Sequence, residues 1–300
     1  MKRRDFLKVT LPLVIAGRAG SAPSDTAELS FGVTADPQYA DANPAGSRFY
    51  RNSLEKLEHA VADLNTKPLE FTVTLGDLID RDFKSFSSVM PIYAKLKAPH
   101  FPICGNHDFS VADEDKGKVL GAMGLEKAYY SQVIKGWRFV FLDGTEIGTW
   151  RYPTADPRTA EARAMKEELA KKYDREMAPW NAAIGAKQME WLETELAAAK
   201  TAGQSVILFN HYPVMPVGDG HNLWNAEELV ALIGKYDNVA AYMNGHKHSG
   251  NYTKSGNCHY VNLKGMVETE AKTAYATVKC FPDRIEIEGM GLEPARNLDT

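Results

Sequence analysis

The chain has 300 residues, 44% of them hydrophobic and 25% charged, the make-up of a globular protein with ample length to bury a core. No apolar run reaches the ~18–20 residues of a membrane-spanning helix. The three cysteines (Cys104, Cys258, Cys280) lack CxxC spacing and read as buried thiols rather than as disulfides or metal ligands. A formal net charge of −4 argues against a duplex nucleic acid partner, since such binding rests on clustered Lys/Arg.

The first segment reads as an address, not as fold. Met1-Lys2-Arg3-Arg4-Asp5-Phe6-Leu7-Lys8 is charged, Val9–Gly17 is apolar, and small residues follow through Ala22. That succession is a charged region, a hydrophobic region and a cleavage zone. Arg3-Arg4 followed by Phe6-Leu7-Lys8 resembles a twin-arginine signal, so residues 1–22 are expected to be a leader handled by the twin-arginine translocation machinery. The expected location is then the periplasm, reached already folded. The leader carries a net +4, which leaves −8 on the remainder.

Residues 28–300 are predicted to form one catalytic domain. Leu29–Thr34 reads as a buried strand, followed by a helix within Ser47–Asn65 whose apolar Leu54, Leu57, Val61 and Leu64 share one face, and by a second strand at Phe71–Leu75. Phe83–Leu96 is the crossover to a third strand, His100–Cys104. Tyr129–Ile134 and Trp137–Leu142 flank Gly136 as a hairpin. Arg158–Glu176 is a charge-laced surface helix or lid, and Ala186–Lys200 a more amphipathic one. Strands follow at Val206–Phe209 and Val239–Met243, then at Tyr260–Leu263, Ala274–Cys280 and Arg284–Glu288. The expected architecture is α/β, with two packed sheets and outer helices.

Polar clusters stand directly after five of these strands: Asp36-Pro37-Gln38, Gly76-Asp77, Gly105-Asn106-His107-Asp108, Asn210-His211 and Gly245-His246-Lys247-His248. Function sits at that edge of an open α/β sheet. Carboxylate, amide and imidazole gathered there are what a pair of divalent metal ions needs, and a carboxylate with two oxygens suits the bridging position, for which Asp77 is the candidate. A lone Gly-Asp is more often a turn, and a lone histidine is more often structural. The joint pattern is what carries the dimetal reading.

This order of motifs resembles the calcineurin-like metallophosphoesterase superfamily over nearly all of the chain after the leader. The resemblance implies a four-layer αββα sandwich of two mixed sheets flanked by helices. It implies one metal on Asp36, Gln38, Asp77 and His248, and a second on Asp77, Asn106, His211 and His246. It also implies that His107, paired with Asp108, faces the substrate phosphate as the catalytic group.

One position departs from that superfamily, which usually has histidine where this chain has Gln38. A carbonyl oxygen is a harder ligand than imidazole and favours Mn²⁺, with Mg²⁺, Fe or Zn²⁺ as the other candidates. The variant and its surroundings, Phe31 to Asp41, Arg48-Phe49-Tyr50-Arg51-Asn52-Ser53-Leu54, Leu223-Trp224-Asn225 and Gly265-Met266-Val267-Glu268-Thr269, are similar to the manganese-dependent ADP-ribose/CDP-alcohol diphosphatases. Lys247 departs from that narrower group, where an acidic residue is common.

The expected reaction is therefore hydrolysis of a phosphoanhydride in a small nucleoside diphosphate-linked compound. The alternative in the same fold is a phosphodiesterase or phosphomonoesterase acting on cyclic nucleotides or phospholipid head groups. Tyr39 and Trp224 are candidates for stacking a base, with core packing the competing reading for each, Arg48 and Arg51 are candidates for the distal phosphate, and Asn225 or Glu268 for ordering the pocket.

Overall fold

Residues 26–300 are described by the structure, a computed structural model, so the predicted leader over residues 1–22 lies outside the described residues. Strand β1 (Leu29–Thr34) is buried on both faces, as a central parallel strand requires. Helix α1 (Ser53–Leu64) joins it to β2 (Phe71–Thr74), and α2 (Phe86–Tyr93), entered through one 3₁₀ turn, joins β2 to β3 (His100–Pro102). Two short helices, α3 (Asp113–Lys116) and α4 (Val119–Ala122), lead to the predicted hairpin of β4 (Tyr130–Ile134) and β5 (Trp137–Phe141). Its turn, Lys135-Gly136, has positive φ at both residues, as a two-residue type I′ turn demands.

The surface helix α5 (Pro157–Lys172) starts where the Asp156 carboxylate accepts from the Arg158 N–H and Pro157 occupies the first turn. Then come α6 (Ala186–Thr201), β6 (Ser205–Phe209), α7 (Ala226–Ile233), β7 (Val239–Asn244), β8 (Asn251–Ser255) and β9 (Cys258–Asn262). Strands β10 (Ala274–Cys280), β11 (Arg284–Gly291) and β12 (Arg296–Asp299) close the chain. Helix α7 and strands β8 and β12 were not expected from sequence.

Among the described residues, two six-stranded sheets form, ordered β12-β11-β10-β1-β2-β3 and β4-β5-β6-β7-β9-β8. In the first, β1, β2 and β3 are parallel; in the second, β5, β6, β7 and β9 are parallel. Alternation along the strands explains the layering. Ile207 and Phe209 of β6 join Phe31, Phe71, Phe139 and Phe141 between the sheets, while Val206 and Leu208 face α6 and α7 on the outside. A separate cluster packs α1 and α2 onto the outer face of the first sheet. The result is the expected helix–sheet–sheet–helix sandwich, and it brings the carboxyl ends of both parallel sets to one edge.

Candidate metal centre

The loops leaving β1 and β2 lock together before any side chain matters. Gln38 N–H donates to the Asp77 carbonyl at 2.8 Å, Tyr39 N–H to Leu78 at 3.1 Å, and Asp80 N–H to Tyr39 at 2.8 Å. Holding them so puts Asp36, Gln38, Asp77 and, across the site, His246 at φ values of 50°, 44°, 53° and 68°. Such left-handed positions cost roughly 1–3 kcal/mol each and persist where surrounding structure over-determines them, typically at functional sites. Two glycines make the crowding possible. A Cβ on Gly105 would stand 2.2 Å from Asp77 Oδ1, and one on Gly245 would stand 2.4 Å from Asp36 Oδ2.

The side chains then converge in two groups that share Asp77. In the first, Gln38 Nε2 lies 2.9 Å from Asp77 Oδ2 and 3.2 Å from His248 Nε2, which is 3.7 Å from Asp36 Oδ1. In the second, His211 Nε2 lies 3.1 Å from Asn106 Oδ1, 3.1 Å from His246 Nδ1 and 3.4 Å from Asp77 Oδ2. Ligand atoms of Asp77, His211 and His246 all fall within 4.8 Å of one another.

The donor set fits metal ions. Each histidine spends one ring nitrogen on an outer acceptor: His211 Nδ1 on the Leu75 carbonyl (2.8 Å), His246 Nε2 on Asn181 Oδ1 (3.0 Å), His248 Nδ1 on Glu268 Oε1 (2.7 Å). Those partners accept, so in the neutral tautomers the inward nitrogens are bare lone pairs. Two of them, on His211 and His246, oppose each other at 3.1 Å, an arrangement that calls for a positive centre nearby. Gln38 Oε1 is likewise buried with no hydrogen-bond partner. The electrostatics agree. Burial pushes the Asp36 carboxyl up. Burial acts the same way on Asp77, yet His211 and His107 hold it well below the usual carboxylate range. His211, against burial, is pushed up to about 9 by Asp77 and Asp36. The buried carboxylates demand positive charge, which bound cations supply.

The predicted pairing of His107 with Asp108 is not what forms. His107 Nδ1 is 2.9 Å from Asp80 Oδ1, and Asp77 and Asp80 raise its pKa against the opposing effect of burial. Asp108 is fully buried and accepts four backbone N–H groups: Leu78 and Ile79 on Oδ1, Asp77 and Gly105 on Oδ2. Those fixed donors saturate the carboxylate, so Asp108 staples the β2 and β3 loops instead of orienting the imidazole. The signal for Asp80 was its place three residues after Asp77 in the same loop.

A cavity of about 820 Å³ opens over the centre, lined among others by Arg48, Asn106, His107, Trp150, Trp180 and Lys247. Of the five residues expected to bind substrate, only Arg48 lines it. Trp224 is fully buried and donates its indole N–H to the Ala178 carbonyl at 3.0 Å. Asn225 is buried and exchanges two hydrogen bonds with the Ile184 backbone. Tyr39 packs against the α1–α2 core, and Arg51 turns away to Asp41 and Asn43. Sequence reading missed Asn181 and Lys56. The latter donates its amine to the carbonyls of Met266, Glu268 and Thr269, fixing the loop that presents Glu268 to His248.

A family model described as calcineurin-like phosphoesterase matches residues 29–250. A manganese-dependent ADP-ribose/CDP-alcohol diphosphatase of Arabidopsis thaliana is 29% identical over 291 residues, covering 87% of this chain and 94% of the relative. The mouse protein of that name is 28% identical, covering 92% and 95%. A solved dimetal phosphatase from Danio rerio superposes with a TM-score of 0.82 at 21% identity, covering 91% of this chain and 99% of that one, which shows the shared fold. Because the family model covers residues 29–250, which hold every residue of both converging groups, the chain belongs to the calcineurin-like phosphoesterase family and is a metal-dependent hydrolase.

Proposed function

We propose that this protein hydrolyses the phosphoanhydride bond of nucleoside diphosphate-linked compounds of the ADP-ribose and CDP-alcohol type, using two Mn²⁺ ions. The observation that carries the reading is the double convergence on Asp77, with an orphaned amide oxygen, Gln38 Oε1, in the first group. The relatives named for manganese and for these substrates match along almost their whole length. Asp36, Gln38, Asp77 and His248 would hold one ion, and Asp77, Asn106, His211 and His246 the other. A bound pair of divalent ions supplies a water of lowered pKa and neutralises charge on the phosphoryl oxygens.

The rest is the work of side chains. Arg48 on the cavity wall attracts the diphosphate, whereas Lys247, also lining it, is paired with Asp219. In-line attack of water on one phosphorus would break the bond to the bridging oxygen, with the water's proton leaving to solvent. His107, with Nδ1 fixed by Asp80, presents Nε2 to give that leaving oxygen its proton. The products are a nucleoside monophosphate and a phosphorylated sugar or alcohol.

Assays with Mn²⁺ of ADP-ribose and CDP-choline beside cyclic AMP and p-nitrophenyl phosphate are expected to give the diphosphates the larger kcat/KM. Equal or lower values for the diphosphates refute the substrate class. Gln38→His is expected to move metal preference from Mn²⁺ towards Zn²⁺, because imidazole replaces a hard oxygen. The readout is turnover of the apoprotein reconstituted with each metal, and an unchanged ratio removes the hard-ligand account.

A further inference from the structure

Half of the Trp180 surface is exposed, whereas Trp137 and Trp224 are buried at 3% and 0%. An indole left in water forgoes the stabilisation of burial. The backbone beneath this one is held rigidly. Tyr212 donates its hydroxyl to the Trp180 carbonyl at 3.1 Å, and Trp224 donates to Ala178 two residues earlier. Asn181, the next residue, is buried, and its Nδ2 donates to the carbonyls of Gly220 and Asn222 at 2.8 Å each. The same side chain orients His246 through Oδ1 at 3.0 Å. The backbone carrying the indole is thus pinned on both sides and is one residue from the amide that aims a candidate metal ligand.

Trp180 stands on the wall of the 820 Å³ cavity, which Pro179, His221 and His246 also line. The other indole there, Trp150, has its N–H buried and packs towards Phe109, with ring centroids 6.1 Å apart. Trp180 is therefore the more exposed of the two lining indoles.

We propose that Trp180 is the platform on which the nucleobase of the substrate stacks while its α-phosphate lies at the metal centre; this rests on the nucleoside diphosphate reading of the cavity. A stacking face accepts purine and pyrimidine alike, because every base has a π-face, whereas a pocket built on hydrogen bonds discriminates between them. Fixing the backbone beneath the indole also spares part of the entropy of ordering the site on binding.

The test measures binding of AMP, CMP and inorganic phosphate to the Mn²⁺-loaded full chain by titration calorimetry. Trp180→Ala is expected to weaken AMP and CMP on the order of tenfold or more and to leave phosphate unchanged. Trp180→Phe, which keeps a stacking ring, is expected to stay within a few-fold of the parent. AMP should also quench tryptophan emission in the parent, and that part should be missing in Trp180→Phe. Equal weakening of phosphate and nucleotides would assign Trp180 a scaffolding role and overturn the proposal, as would unchanged nucleotide affinity in Trp180→Ala. Failure of the diphosphatase reading shows separately, as absent turnover of ADP-ribose and CDP-choline by the parent, since these measurements need no turnover.

Discussion

His107→Ala is expected to lower kcat on the diphosphate substrate by about 10²–10⁴-fold, the usual contribution of a positioned proton donor, with metal content and melting temperature unchanged. Three observations set that expectation. His107 lines the cavity, its Nδ1 is engaged by Asp80 at 2.9 Å, and its side chain belongs to neither group converging on Asp77. What ties the loop to the centre is the His107 backbone N–H, which donates to Asp77 Oδ1 at 2.7 Å and survives the substitution. Asp80→Asn should reproduce part of the loss, because an amide orients the ring less strongly than a carboxylate. Steady-state kinetics, metal analysis and thermal melting of the purified variants decide it. Turnover within a few-fold of the parent in His107→Ala would remove the proton-donor role.

Asp108→Ala is expected to act on the fold and not on the chemical step. It strips the acceptor from four buried backbone N–H groups in the β2 and β3 loops. Each buried donor left unsatisfied costs roughly 1–3 kcal/mol, so the total loss reaches about 4 kcal/mol or more, the range reserved for a broken buried network. Asp108→Asn keeps one acceptor oxygen and should fall between the parent and alanine. Denaturant midpoints of both variants measure this. If Asp108→Ala melted like the parent while losing turnover, the orienting role expected from sequence would be restored.

These two residues also mark where sequence reading reached its limit. Asp108 and His107 are neighbours in the chain, which made their pairing a natural expectation. The carboxylate is claimed instead by Gly105 and by the N–H groups of Asp77, Leu78 and Ile79, in a loop whose approach only the parallel packing of β2 against β3 creates. Tyr39 and Trp224 are aromatic and near ligand motifs, which is all that sequence can weigh. What packs over a residue decides the rest: Trp224 is fully buried, Tyr39 packs against the α1–α2 core, and Trp180 stays half exposed on the cavity wall. The elements missed follow the same logic. β8 alternates between half-buried and exposed polar residues at a sheet edge, so it carries no apolar period to read. Residues 47–52, expected to begin the first helix, are held as a loop by the backbone pairing of Arg48 with Ala45 and Glu268.

What the sequence determined by itself was everything written in short-range pattern: the β-branched and aromatic runs, the polar cluster at the end of each, and the oxygen in place of nitrogen at position 38. Those signals are local because a strand's period and its terminal loop are local. Tertiary structure decided which acceptor each buried donor finds, which histidine nitrogen faces inward, and which indole is left uncovered. Those outcomes are competitions among groups distant in the chain, settled by geometry that exists only once the two sheets have packed.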